Sequence, residues 1–433
     1  MKKFSLPKDG GLIEAGLPYG IKHTYENIPV HIFEDEEVAS ERLAEKIVSS
    51  INANNGVYRL GLTTGSSPVA LYRALVRRYE AGEVSFKDVE IYSIDEYYPA
   101  LPDNYSRNRR LYSELIAHID VKPENVFIPK LSEAKDSAEV SAFCAEFDAK
   151  ARGLDLLVMG MGEKGQIGFN ESGASELSRT RTVLLTYASR KRESKNFSGN
   201  VDATPDKAIA MGISTMLSAK KIHLIAWGED KANVVKRVAE GKADPACPAS
   251  FLQKHENISF YVDENSASLI TRNVAPWLVG PCEWTPKFIR KAVVWLCEQV
   301  HKPILKLTQA DYLSNGLGEL LELFGPYDKI NIKVFNDLQH TISGWPGGKP
   351  NADDSTRPVP SNPFPKRVVI FSPHPDDDVI SMGGTFIRLA EQGHDVHVAY
   401  ETSGNVAVHD DVVLQHMDTA RELGFGDRFD EVK

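Results

Sequence analysis

The chain has 433 residues, of which 42% are apolar and 25% charged, and its 50 Lys plus Arg against 60 Asp plus Glu leave a net charge of −10. This usage excludes a disordered, collagen-like or low-complexity protein. The acidic balance argues against a nucleic-acid scaffold, while leaving room for a local basic pocket that takes an anion.

From residue 37 to about 270, strand and helix patterns alternate. Leu43, Ile47 and Ile51 mark a helical face, and 57–62 reads as a strand. A polar turn leads into a helix from Pro68 to Tyr79. A second strand, 89–94, runs up to Asp95. Residues 154–159 are nearly all apolar, as in a strand buried on both faces. Val183–Leu185, Ile222–Trp227 and Ile258–Val262 read the same way. A helix is expected from Asp230 to Gly241, where the glycine suits a C-cap. The alternation predicts an α/β fold with a doubly wound, mostly parallel, Rossmann-like sheet over residues 1–270. Such sheets take ligands at the carboxyl ends of their strands.

Residues 271–342 read as a helical extension, with Phe288, Ala292, Trp295 and Leu296 on one face. Residues 343–365 hold six prolines and three glycines and read as a linker. Beyond it, 366–433 holds a partial second α/β unit: strand 367–371, helix 379–391, strand 396–400. The four cysteines form no CxxC pair, which fits reduced thiols in a cytoplasmic protein. No apolar run suits a signal peptide or reaches the about 18 residues of a membrane span. The expectation is therefore no membrane and no nucleic-acid partner.

Three loops carry the chemistry of the first domain. LGLTTGSSP joins a strand to a helix, and Thr64, Gly65, Ser66 and Ser67 could cradle an anion at the helix start. A capped turn would explain that loop equally well. Asp95, in SIDEYYP, puts a carboxylate where a general base could act; as a lone residue it would also serve as a turn former. GMGEKGQIGFNES follows a strand, and its glycines let the backbone pass close to a ligand. Downstream lie Lys195, in a charge run that could equally be a solvated face, and Lys231.

Together with SRTR and MGISTMLSAKKIHLIAWGEDK, these segments resemble, in order, the glucosamine-6-phosphate deaminase/isomerase family over about residues 35–270. The resemblance implies a small-molecule sugar phosphate as partner, no cofactor, and conversion of glucosamine 6-phosphate plus water to fructose 6-phosphate plus ammonia. It implies Asp95 as the enolisation base, with Glu171 retained from the family's motif. Thr64, Gly65, Ser66, Ser67, Lys195 and Lys231 would hold the phosphate. Lys195 stands where the family has Arg, keeping the charge without the bidentate fork. The chain also departs at Lys164 and Gln166, where the family has an Asp and the ring-opening His. Gln exchanges no proton near neutral pH, so ring opening is expected to lose its acid/base while ligand binding is kept. A non-catalytic sugar-phosphate module serving a fused deacetylase is the alternative, followed by a 6-phosphogluconolactonase-like hydrolase. A homo-oligomer is left open.

In the second unit, SPHPDDD lies between a strand and a helix, which suits a metal with an activated water. The segment resembles PIG-L-type zinc de-N-acetylases. That resemblance implies His374 and Asp377 as metal ligands and Asp376 as base, with zinc bound in a complete domain of this kind. Asp378 stands where the family has Glu. His394, His397, His409 and His416 follow, none in a context that matches the family's third ligand.

Overall fold

The computed structural model describes residues 25–131, 133, 136–339, 367–391, 393–403 and 410–423. The expected linker lies outside the described residues. The chain packs as two units, one through Glu283 and one from Trp284.

The first unit is built on a seven-stranded sheet. Its strands are β1 (Val30–Phe33), β2 (Tyr58–Leu62), β3 (Val89–Ser93), β5 (Val126–Phe127), β6 (Leu156–Gly160), β9 (Ile222–Ala226) and β10 (Ile258–Asp263), with β4, β7 and β8 in a separate sheet. The order is β1-β10-β9-β6-β2-β3-β5, parallel throughout. The central strands are buried on both faces, as their mostly apolar runs require. Helix α1 (Glu36–Asn52) starts where the Asp35 carboxylate accepts the Val38 N–H at 2.8 Å. It buries Leu43, Ile47 and Ile51 against the sheet. Helix α2 (Val69–Glu80) buries Leu71, Tyr72 and Leu75 in the same cluster.

The path of the chain sets where a ligand can sit. From β2 it moves to β3, and from β6 it moves to β9, on the opposite side. The loops after β2 and β6 therefore part over a crevice at the carboxyl ends of two neighbouring strands, the switch point of such sheets.

Two expectations need correcting. Val183–Leu185 does not join the parallel sheet. Strand β7 (Arg181–Leu184) pairs antiparallel with β8 (Lys207–Ala210), which pairs with β4 (Asp95–Tyr97). Its residues alternate in exposure and Leu184 is 72% exposed, because an antiparallel sheet can leave one face to water. Nor does Asp95 end β3. That strand stops at Ser93, and Asp95 opens β4, paired with Ala210.

Residues 271–283, expected with the helical extension, pack on the first unit. The Thr271 N–H donates to Glu240 at 2.6 Å, and Arg272 donates to the Val30 carbonyl at 2.5 Å.

In the second unit, helices Pro286–Val300, Gln309–Ser314, Gly318–Phe324 and Tyr327–Gln339 follow one another. Ile289, Ala292, Val293 and Leu296 are the buried residues of the first, whereas Phe288 and Trp295 are only half-buried. Strands β11 (Arg367–Ser372) and β12 (Asp395–Tyr400) form a two-stranded parallel sheet. The helix expected over 379–391 is two helices, Asp377–Ile380 and Gly383–Glu391, separated by a turn at 381–382. Among the described residues no helix is long and apolar enough to cross a membrane, and all four cysteines are free thiols.

Candidate functional site

The three loops expected to act together meet at the switch point. Thr64 Oγ1 donates to Asp95 Oδ1 at 2.7 Å, tying the loop after β2 to the carboxylate. The loop after β6 closes on the same group. A β-carbon on Gly168 would sit 3.0 Å from Asp95 Oδ2, and the residue's φ of +57° also favours glycine. A β-carbon on Gly160 would meet the Ser67 side chain at 3.3 Å, so the first and third motifs are in contact. Trp227, following β9, donates from Nε1 to the Ser67 carbonyl at 2.9 Å.

Two adjacent acids show opposite designs. Glu96 is fully buried and satisfied: Oε1 accepts the N–H groups of Tyr97 and Arg107, each at 2.8 Å, and Oε2 accepts from Asn108 at 3.0 Å and from Ser106. Asp95 is as deeply buried, yet its Oδ2 has no hydrogen-bond partner. Burial pushes the Asp95 carboxyl above the usual carboxylate range, against the opposing pull of Arg107 and Thr64. A carboxylate with a free oxygen and a raised pKa is the form a general base takes.

Arg107 is the residue that sequence reasoning missed. Its guanidinium lies 3.6 Å from Asp95 Oδ1 and 2.6 Å from Glu193 Oε2, and 4.8 Å above the Phe169 ring. It also faces the first loop, with Nη2 3.8 Å from where a Gly65 β-carbon would be. Burial disfavours its charge, but Asp95 and Glu193 outweigh that and hold it protonated. Burial would likewise raise Glu193, but Arg107 and then Arg192 hold it low.

The remaining expected residues are distributed as follows. Ser66 is exposed and Ser67 half-buried beside Gly160. Lys231 is half-buried. Burial lowers its pKa, Glu163 opposes the shift, and Arg192 adds to it. Arg192 is therefore a second cation near Lys231, one that the sequence did not single out. Lys195, on a short turn at Ser194–Phe197, is exposed, and among the described residues it forms no ion pair.

Glu171 accepts the Thr186 N–H through Oε2 at 3.3 Å, while its Oε1 is buried without a partner. Gln166 folds back on its own loop: Oε1 accepts the Lys164 N–H at 3.0 Å and its carbonyl accepts the Gly162 N–H at 2.8 Å. The Lys164 side chain points outward and is exposed.

In the second unit His374 Nδ1 lies 3.1 Å from Asp377 Oδ2, so those two expected ligands are together. Asp376 is exposed, and the buried Asp378 carboxylate accepts from Ser372 at 3.2 Å. His397 is 3.0 Å from Asp395, and His409 lies outside the described residues. No group of three or more His, Cys, Asp or Glu that could hold a metal occurs among the described residues. His374 and Asp377 would thus supply two of the about three protein ligands that catalytic zinc takes.

Comparison with known proteins agrees with this division. Residues 34–260 match the family model described as glucosamine-6-phosphate isomerases/6-phosphogluconolactonase, and residues 369–431 match GlcNAc-PI de-N-acetylase. A putative glucosamine-6-phosphate deaminase-like protein of Bacteroides thetaiotaomicron is 48% identical over 399 residues, covering 90% of this chain. The chain spans 60% of that relative's length. A glucosamine-6-phosphate deaminase of Rhodopirellula baltica is 39% identical over 246 residues, which is 57% of this chain and 97% of the relative. Among solved structures, a monomeric glucosamine-6-phosphate deaminase superposes with a TM-score of 0.52 at 33% identity, covering 55% of this chain and 99% of its own. The chain belongs to the glucosamine-6-phosphate isomerase/6-phosphogluconolactonase family.

Proposed function

We propose that the first unit is an amino-sugar-phosphate deaminase of the glucosamine-6-phosphate type. The free Oδ2 of the buried Asp95 carries this reading. In the proposed reaction Asp95 takes the proton from C2 of the open-chain sugar and returns it to C1. The enolamine becomes a 2-imine, water adds at C2, and ammonia leaves. Thr64 to Ser67, with Lys231, Lys195 and Arg192, seat the phosphate so that C1 and C2 stay in reach of the base. Gln166 supplies no proton for ring opening, so the substrate is the open-chain form that exists in solution.

The test is ammonia release from glucosamine 6-phosphate. The native chain is expected to turn over slowly. Asp95→Asn should lose about two to four orders of magnitude, the usual worth of a general base. Restoring proton exchange with Lys164→Asp and Gln166→His together should speed turnover. Tight sugar-phosphate binding without any ammonia release would replace the enzyme by a binding module.

A further inference from the structure

On strands β1, β9 and β10 of the same sheet, away from the loops just described, a second constellation forms under α1. His31 of β1 is in register with Tyr261 of β10, and His223 of β9 with Ser259, two residues before Tyr261. All four therefore face α1. His31 stacks on the Tyr261 ring at 5.1 Å and His223 meets it edge-on at 5.0 Å. Lys46 of α1 donates to the Tyr261 hydroxyl at 3.0 Å. Lys221 stands just before β9.

A cavity of about 600 Å³ opens here, lined among others by His31, Arg42, Glu45, Lys46, Ser49 and Lys221. Its charge is unbalanced. Glu45 is the acid in the lining and is paired with Arg42 at 3.2 Å. Lys46 and Lys221 form no ion pair among the described residues. Burial and Lys46 both depress the Lys221 pKa. His223 is 1% exposed, and its Nδ1 is buried with no hydrogen-bond partner. Burial, then Lys221, Lys46 and His31, push its pKa down to about 3. An anion entering the cavity would relieve this repulsion and gain charge-assisted hydrogen bonds from both lysines.

We propose that this cavity binds the phosphate group of a phosphorylated small molecule, at a site separate from the one around Asp95. Its volume falls in the range of small-molecule sites, about 300–1,000 Å³, and exceeds what a bare phosphate fills. The proposal is independent of the deaminase reading.

The experiment uses the full chain carrying Arg192→Gln, Lys195→Gln and Lys231→Gln, so that the cations assigned to the first phosphate seat are removed. Inorganic phosphate and glucose 6-phosphate are titrated separately, and the imidazole resonances of His31 and His223 are followed by NMR. A saturable shift is expected, with the ester binding more tightly. Equal affinity for inorganic phosphate would keep the site and assign it to free phosphate. Adding Lys46→Gln and Lys221→Gln should weaken binding about a hundredfold, roughly tenfold for each lost charge-assisted bond, with an unchanged melting temperature. No saturable shift at millimolar ligand, or a shift that survives the two lysine substitutions, overturns the proposal.

Discussion

At the scale of single residues, the site rests on an acid that its surroundings make basic. Arg107 lowers the Asp95 pKa while burial raises it. Arg107→Ala removes the lowering influence, so the acid limb of the rate profile should move to higher pH, with Arg107→Lys moving it less. A purely structural role for Arg107 would change the rate without moving the limb. Asp95 itself costs the fold something. Its folded pKa lies above the unfolded value, so the ionised carboxylate is penalised, and its contribution to stability worsens as pH rises through the folded pKa. Asp95→Asn is therefore expected to raise the melting temperature at neutral pH, by about 2–4 °C for each kcal/mol recovered, while turnover is lost. Asp95 was legible in the sequence because it follows a strand that ends at the ligand side. Arg107 was not, because an arginine within NYSRNRR reads as a solvated charge until tertiary packing sets it over Phe169.

At the scale of elements, legibility followed burial. β6 is a continuous apolar run, and β9 and β10 are mostly apolar, because both faces are covered, and each was readable as a strand. β7 carries a similar short apolar signature, yet its partner is β8, which pairs in turn with the strand that begins at Asp95. Which sheet a strand joins depends on long-range pairing, which periodicity does not encode. β9 also carries a prediction. His223 has a folded pKa of about 3 against an ordinary value of 6.5. Between those values the unfolded chain binds the extra proton, so stability rises with pH through that window and is lost as pH falls through it. Urea unfolding midpoints of the native chain should climb across this range more steeply than those of His223→Gln. Equal slopes would mean that His223 is protonated in the fold.

At the scale of the whole molecule, the two units differ in how much they bury. The first has a seven-stranded sheet with two large apolar clusters. In the second, Val369 and Phe371 of the two-stranded sheet are 52% and 69% exposed, and Ile380 and Ile387 of the helices that follow its first strand are 75% and 61% exposed. Two strands alone are marginal in water. Amide exchange should therefore be fast across β11 and β12 and slow across β2, β6 and β9, because exchange protection tracks local stability. Equal protection in both sheets would contradict this ordering. The division at Glu283 was not legible in sequence, because the hydrogen bonds that hold 271–283 to Glu240 and Val30 are long-range.

The pairing of β11 with β12 has one more consequence. Among the described residues each strand has a neighbour on one side only, and there each offers a row of unpaired backbone donors and acceptors on the other. Such rows act as templates: an extended segment of another chain can add on at either side, and every addition presents a fresh row. Light scattering should show association that grows with protein concentration and persists in high salt, since backbone pairing and apolar contact drive it. Placing charge on the exposed apolar face, with Val369→Lys and Phe371→Lys together, should suppress that growth and leave the parallel sheet of the first unit intact.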